Sequence, residues 1–386
     1  MAAGQPGEAH GQAHGEMATT PGLACYLTDA VMNASSSTAR GLTGLTVRDL
    51  EVMLGSRTRA LVAAHWIYGP RPWTADIPET LPGIAPQAWI RVRDACTLPS
   101  IEVTEQAVAA DGTTKLLLTL DGGVIETVMI PAATRSTICV SSQVGCTRSC
   151  KFCSTATLGF GRNLRADEIV AQYLIARMLA PVATPATNVV FMGMGEPMDN
   201  LDEVLVAVDV LTQAPAPQLG RAQVTVSTSG VLPGMQRFLA ESHGSLALSL
   251  NGTTDAQRTA LMPHNKTWPI AALLQLLRDD QRAHPRRIHF IEYVMFDGIN
   301  DADDDAARIV ELLTGINARL NLIPHNPIGT SLLRASPTPR IEAFHRIVSA
   351  AGLRCMVRWP RGQDIAAACG QLARVRSRPA ADHVDS

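Results

Sequence analysis

A chain of 386 residues with 46% apolar and only 4% aromatic residues has room for one large domain and a smaller one around a sizeable core. A formal net charge of −2 excludes a globally basic nucleic-acid-binding surface, and no apolar run reaches the roughly 18 residues of a membrane span. Eight cysteines in a chain this long do not make a small secreted disulfide framework; clustered, they point to metal binding or catalysis.

Residues 1–40 are rich in Gly, Ala, His, Ser and Thr and lack the basic-then-apolar order of a signal peptide. They read as a disordered extension of a cytoplasmic protein. Residues 41–100 read as helical. Thr46-Val-Arg-Asp49 resembles a capping box followed by Leu50, Met53 and Leu54 at helical spacing. A second pattern runs through Leu61, Ala64 and Ile67 and stops at Gly69-Pro70. Residues 101–131 change character: apolar runs are broken by Asp111-Gly112 and Asp121-Gly122, which are hairpin signals, so short antiparallel strands are expected as a linker.

From 132 to 373 strand-like and helix-like runs alternate. The strand-like runs are Thr137–Ser141, Asn188–Met192, Gln223–Val226, Leu246–Leu248, Ile288–Met295, Leu320–Ile323 and Leu353–Val357. Helical patterns lie between them, such as Ala166–Leu179 with Ile169, Val170, Tyr173 and Leu174 on one face. Alternation of this kind implies an α/β fold with a parallel sheet, and six or seven units suggest a full or partial barrel. Residues 374–386 form a tail.

Within this core, Cys146-Thr-Arg-Ser-Cys150-Lys-Phe-Cys153 places three thiols at spacings of four and three. Cys thiolates hold iron–sulfur clusters, and a four-iron cubane with three ligands keeps one iron open to a small molecule. Zinc also binds closely spaced cysteines, but a structural site closes with four ligands, and no Cys or His lies between Cys153 and His243. Functional residues of parallel barrels gather just past the carboxyl ends of strands. There the sequence places Gly193-Met-Gly195-Glu196-Pro197, Ser227-Thr-Ser229-Gly230, Ser249-Leu250-Asn251 and Pro324-His-Asn326-Pro327. Each alone reads as an ordinary turn; their common position is what singles them out. Basic residues flank the cysteines (Arg148, Lys151, Arg162, Arg165) and recur at Arg354, Arg358 and Arg361, a pattern usual for solvated surface that favours RNA only weakly. Cys25, Cys96 and Cys355 read as inert packing.

These motifs together resemble the RlmN/Cfr family of radical S-adenosylmethionine (SAM) RNA adenine methyltransferases, over residues 42–373. The resemblance rests on Cys139-Val-Ser-Ser-Gln-Val-Gly-Cys146, the three-cysteine segment, Gly159-Phe-Gly-Arg-Asn-Leu164, Gly193–Pro197, Ser227–Gly230, Asn321-Leu-Ile-Pro324 and Ala368-Cys369-Gly-Gln-Leu372. It implies a partial (β/α) barrel of the radical SAM type preceded by a small helical domain that helps hold RNA. It implies a 4Fe–4S cluster on Cys146, Cys150 and Cys153, and SAM contacts from Gly195, Glu196, Ser227, Ser249, Leu250, Asn251 and Asn326. It further implies two SAM molecules per turnover and an electron donor such as flavodoxin.

By the same resemblance Cys369 is the methyl carrier, Cys139 the resolving thiol and Glu126 a proton acceptor. A methyl group passes from one SAM to Cys369; cleavage of a second SAM gives a radical that takes hydrogen from the S-methyl group, and the resulting carbon radical adds to adenine. Glu126 then takes the ring proton, and Cys139 displaces the thioether, leaving a Cys139–Cys369 disulfide to be reduced. Without the resemblance, Glu126 reads as a solvated hairpin carboxylate. The implied reaction is methylation of carbon 2 of an adenosine in 23S rRNA, and in tRNA, with carbon 8 or another RNA as the alternative. The chain departs from the family pattern at Asn251, where His is usual, at Gln363, where an acidic residue is usual, and in its longer N-terminal extension. It also lacks the basic C-terminal extension of many members. Two readings outside the family are a zinc-stabilised RNA-binding module without catalysis and a radical SAM enzyme acting on a peptide or small molecule.

Overall fold

The structure, a computed structural model, describes residues 39–70, 76–329 and 331–373. The extension expected at 1–40 falls outside the described residues except for Ala39 and Arg40, and Cys25 and the tail at 374–386 fall outside them entirely.

Two short parallel strands, β1 (Arg40–Gly41) and β2 (Cys96–Thr97), bracket three helices, α1 (Val47–Leu54), α2 (Arg57–Tyr68) and α3 (Pro86–Ala95). The capping box read from the sequence is present. Thr46 Oγ1 accepts from the Asp49 N–H at 3.1 Å and the Asp49 carboxylate accepts from the Thr46 N–H at 2.9 Å, satisfying two donors that helix geometry leaves orphaned. Trp89 is fully buried between the helices. Its indole N–H donates to the Pro78 carbonyl at 2.8 Å and its ring meets Trp66 edge-on at 5.7 Å. The helices dock on the rest of the chain through polar bonds: Thr43 Oγ1 donates to the Asp167 carbonyl at 2.9 Å, and Arg177 to the Gly69 carbonyl at 2.7 Å.

Three antiparallel strands follow, β3 (Ile101–Val108), β4 (Thr114–Leu120) and β5 (Gly123–Pro131), with the two Asp-Gly steps at their turns. They continue into the main sheet, because β5 pairs with β6 (Ser136–Cys139). A separate hairpin, β7 (Gln143–Gly145) with β8 (Phe160–Asn163), carries the three-cysteine loop between its strands. The remaining strands alternate with helices: α4 (Ala166–Leu179), β9 (Ala186–Phe191), α5 (Leu201–Thr212), β10 (Val224–Thr228), α6 (Leu232–Glu241) and β11 (Ser245–Ser249). Then come α7 (Asp255–Leu261), α8 (Ile270–Ala283), β12 (His289–Met295), α9 (Asp303–Leu312), β13 (Ala318–Pro324), α10 (Thr338–Ala350) and β14 (Arg354–Val357).

The sheet runs β14-β13-β12-β11-β10-β9-β6-β5-β4-β3. From β6 to β14 every neighbouring pair is parallel, and these strands coincide with the seven strand-like runs of the sequence. The order does not close, so the barrel is partial. Apolar strand residues such as Val226, Leu248, Ile291, Tyr293 and Leu320 are buried, as parallel strands covered on both faces require. Among the described residues no helix is long and apolar enough to cross a membrane.

Trp89→Ala removes a fully buried ring and its hydrogen bond; it is expected to destabilise the chain by about 3–5 kcal/mol, read as a lowered urea midpoint.

Candidate active site

The carboxyl ends of the parallel strands surround one cavity, and Cys146, Cys150 and Cys153 line it. The β7–β8 hairpin shapes their loop: the Cys146 N–H donates to the Gly159 carbonyl at 3.0 Å, and the Arg148 N–H donates to Cys146 Sγ at 3.3 Å. Phe152 packs against Phe296 at 5.5 Å and closes the apolar side. Burial pushes the Cys146 thiol up to about 12 and raises Cys150 further, with the neighbouring cysteines adding repulsion. Thiolates at Cys146 and Cys150 would need a positive group beside them to be stable.

The polar strand ends converge opposite this loop. Gly195 has φ 103°, and a Cβ there would meet Gln143 backbone and side chain at 2.7–2.8 Å, so the turn admits only glycine without displacement. Glu196 is buried and its carboxyl group is raised above the usual range by desolvation. Its Oε1 accepts from the Met198 N–H at 3.0 Å, and its Oε2 from the Ser229 N–H at 2.8 Å and the Ser229 hydroxyl at 2.6 Å. Ser227 and Ser249 hydroxyls face each other at 3.4 Å. Asn251 takes a left-handed conformation (φ 55°), which Asn tolerates; its Oδ1 accepts from the Val294 N–H at 2.9 Å and its Nδ2 meets Met262 Sδ at 3.3 Å.

Of the expected SAM contacts, Gly195, Glu196, Ser227, Ser249, Asn251 and Asn326 line the cavity. Leu250 does not: its side chain is in the core, its N–H donates to the Glu292 carbonyl and its own carbonyl accepts from Arg258.

Cys369 opens onto the same cavity from the C-terminal loop. It is accessible to solvent there yet walled in by protein, and desolvation, then Glu292, raise its thiol to about 11. Its loop is tied down on several sides. Asn326 Nδ2 donates to the Cys369 carbonyl at 3.0 Å, the Ser154 N–H donates to the Gly370 carbonyl at 2.7 Å, and Thr155 Oγ1 donates to the Leu372 carbonyl at 2.7 Å. Gln363 Nε2 donates to Asn326 Oδ1 at 2.8 Å, a bond from a residue that stands where an acidic one is usual. Cys139, at the end of β6, is buried behind this loop; burial raises its thiol, and the proximity of Cys369 raises it further. Both are free thiols.

Glu126 is not the solvated hairpin carboxylate that its position alone suggests. It is fully buried on β5 and forms an ion pair with the buried Lys115 at 3.1 Å. It does not line the cavity, but Lys115 Nζ also reaches the Ala366 carbonyl at 3.4 Å, three residues before Cys369. Several basic residues of the sequence are likewise committed within the protein: Arg148 pairs with Asp199, Arg162 with Glu168, Arg165 with Asp167 and Arg361 with Asp111.

The sequence reading missed two charged residues of the site. Glu292 lines the cavity from the middle of β12; a carboxylate inside the apolar run Ile288–Met295 was the available signal. Arg258 is fully buried at 0% exposure and lowered by burial to about 10. Its Nε donates to the Leu250 carbonyl at 3.0 Å, Nη1 to Asn265 Oδ1 at 2.7 Å, and Nη2 to the carbonyls of Ser249 (3.2 Å) and Ser229. Nothing in its helical context marks it in sequence.

Residues 140–310 match the radical SAM superfamily model. The dual-specificity RNA methyltransferase RlmN of Methylocella silvestris is 42% identical over 368 residues, covering 87% of this chain and 91% of the relative. Its namesake in Methylorubrum extorquens is 43% identical over 342 residues, covering 82% and 79%. The chain belongs to the RlmN/Cfr family of radical SAM RNA methyltransferases. The crystal structure of a radical SAM methyltransferase from Sphaerobacter thermophilus superposes with a TM-score of 0.79 at 36% identity, covering 87% of this chain and all of that one.

A radical SAM enzyme of this family takes a 4Fe–4S cluster and SAM, and the residues present fit both. Three thiols line one wall, while among the described residues no three Cys, His, Asp or Glu side chains converge as ligands of a single metal ion. A cubane sets each cysteine on a different iron and so fills a wider space than one ion does. Cys146, Cys150 and Cys153 would hold it, and the strand-end residues that line the same cavity, Ser227 and Ser249 among them, would offer polar contacts to SAM.

Arg258→Ala removes a buried donor from the carbonyls of three residues, of which Ser229 keeps a second partner in His264 Nε2. A stability loss of more than about 3 kcal/mol is expected in urea unfolding, and Arg258→Lys is expected to restore little, because an ammonium cannot span the same acceptors.

Proposed function

We propose that this chain methylates carbon 2 of an adenosine in 23S rRNA, with tRNA as a second substrate class, using Cys369 as methyl carrier. Supporting this reading, its relatives are named dual-specificity RNA methyltransferases. The observation that carries it is the placing of Cys369 on the cavity that also holds the three cluster cysteines, with Cys139 close behind.

The carbon to be methylated is not nucleophilic enough to attack SAM directly. When bound, the 4Fe–4S cluster supplies the electron that cleaves SAM and so the radical chemistry such a carbon requires. The chain's own residues supply the rest. Cys146, Cys150 and Cys153 hold the cluster; Gly195, Glu196, Ser227, Ser249, Asn251 and Asn326 bind SAM. Cys369 presents its methyl group at the cavity, its loop fixed by Asn326, Ser154 and Thr155 so that sulfur and SAM stay in register. The role of Glu126 as acceptor of the ring proton rests on the family resemblance; it lies outside the cavity lining, paired with Lys115, whose Nζ also reaches the Cys369 loop. Cys139 attacks Cys369 Sγ in the thioether that tethers the base; the methylene carbon leaves with the bonding pair and takes a proton to become the methyl group, and a Cys139–Cys369 disulfide remains to be reduced. An electron donor such as flavodoxin supplies the electron for SAM cleavage. The target adenine has to leave its stack to enter the cavity, and the helical region at 41–100 helps hold the RNA around it.

The test is anaerobic reconstitution followed by incubation with SAM, reductant and 23S rRNA fragments, with mass spectrometry of the RNA. Methylation at carbon 2 is expected from the native chain and none from Cys369→Ala, while Cys139→Ala accumulates a covalent protein–RNA adduct. Methylation at carbon 8 would reassign the target atom. Unmethylated RNA with full SAM cleavage would contradict the substrate.

A further inference from the structure

Glu292 has no part in the chemistry described so far, yet it is built into the cavity. It sits in the middle of β12, in register with Ser249 of β11 and Asn321 of β13. It is 6% exposed and lines the same cavity as Cys369. Asn321 Nδ2 donates to its Oε1 at 2.8 Å, and Asn321 is itself fixed because its Oδ1 accepts from Arg358 Nε at 3.2 Å. Two carboxylates line the cavity among the described residues. Glu196 has both oxygens taken by Met198 and Ser229, and Glu126 lies outside the lining in its pair with Lys115. Among the described residues, Asn321 supplies the only hydrogen bond to the Glu292 carboxylate, which leaves it capacity to accept another.

We propose that Glu292 is the proton acceptor of the first methyl transfer, taking the proton of Cys369 as its sulfur attacks the methyl group of SAM. The inference rests on Cys369 being the methyl carrier. The Sγ–H bond breaks and its proton passes to the Glu292 carboxylate. A sulfur electron pair forms the new S–CH3 bond, and the bond from methyl to sulfonium breaks with its pair staying on the departing S-adenosylhomocysteine. Nothing is oxidised or reduced, so this step needs neither reductant nor RNA. The electrostatics agree in sign. Desolvation raises the Glu292 carboxyl above its usual range, making it a stronger base, against smaller lowering effects of Asn321 and Arg358. Next to desolvation, the Glu292 charge is what most raises the Cys369 thiol, and that repulsion vanishes once the carboxylate has taken the proton. Arg358 is left to favour the sulfur anion that develops.

The step can be followed by itself. Holoenzyme reconstituted from cluster-free protein is given methyl-labelled SAM without reductant or RNA, and intact-protein mass with peptide mapping reports methylation of Cys369. Glu292→Gln keeps the oxygen that accepts from Asn321 and removes the basicity. It is expected to methylate Cys369 about 10²-fold more slowly or worse near neutral pH, with SAM affinity and iron content unchanged, and to recover as pH rises towards the thiol value of about 11. In the native chain the rate is expected to rise only until Glu292 is ionised and then to level off. A Glu292→Gln rate equal to the native one overturns the inference. So does a native rate that climbs log-linearly with pH without levelling, a readout that does not depend on the variant folding. A native chain that leaves Cys369 unmethylated with SAM bound would overturn the carrier role itself and this inference with it.

Discussion

The site depends on one buried guanidinium. Arg258 donates to carbonyls at the ends of β10 and β11, and so fixes the backbone that carries Ser229, Ser249 and Leu250 around the cavity. An isolated buried cation would be costly, and burial does lower it to about 10, but its donors are met by carbonyls and by Asn265. Ser229, once placed, gives two hydrogen bonds to Glu196 and thereby ties the end of β9 to the end of β10. Turns that would otherwise be independent become one polar wall facing the cysteine loop.

Desolvation acts on the groups of that wall and on the thiols around it alike. Low dielectric raises the thiols of Cys139, Cys146, Cys150 and Cys369 and the carboxyl groups of Glu196 and Glu292 in the same direction. Each of these groups therefore loses its proton only against a positive charge or in exchange with a neighbour. For the loop cysteines a bound iron–sulfur cluster would provide the charge. For Cys369 the neighbours are Glu292 and Arg358, which makes its protonation a property of β12 and the segment after β14 rather than of its own loop.

Much of this was legible in the sequence for physical reasons. Parallel strands buried on both faces leave continuous apolar runs, so all seven strands of the barrel could be marked, and the capping box at Thr46 and the Asp-Gly turns announce themselves locally. The cysteine spacing and the Gly, Ser and Asn residues after strands located the cavity. What escaped depends on contacts distant in sequence. Arg258 lies on a short helix whose pattern suits a surface, and only the fold buries it against the ends of β10 and β11. The burial of Glu126 and its ion pair with Lys115 on the neighbouring strand were not legible locally, where its position reads as a solvated hairpin carboxylate. Leu250 belongs to the same motif, but its side chain turns into the core.

The central claim, that Cys146, Cys150 and Cys153 hold a cluster with one iron open to SAM, is tested most directly by electron paramagnetic resonance of the anaerobically reconstituted, reduced protein with and without SAM. A 4Fe–4S signal that changes shape when SAM is added, and is lost in Cys150→Ala, is the predicted result. Zinc in place of iron and sulfide, or a cluster signal indifferent to SAM, would contradict the account.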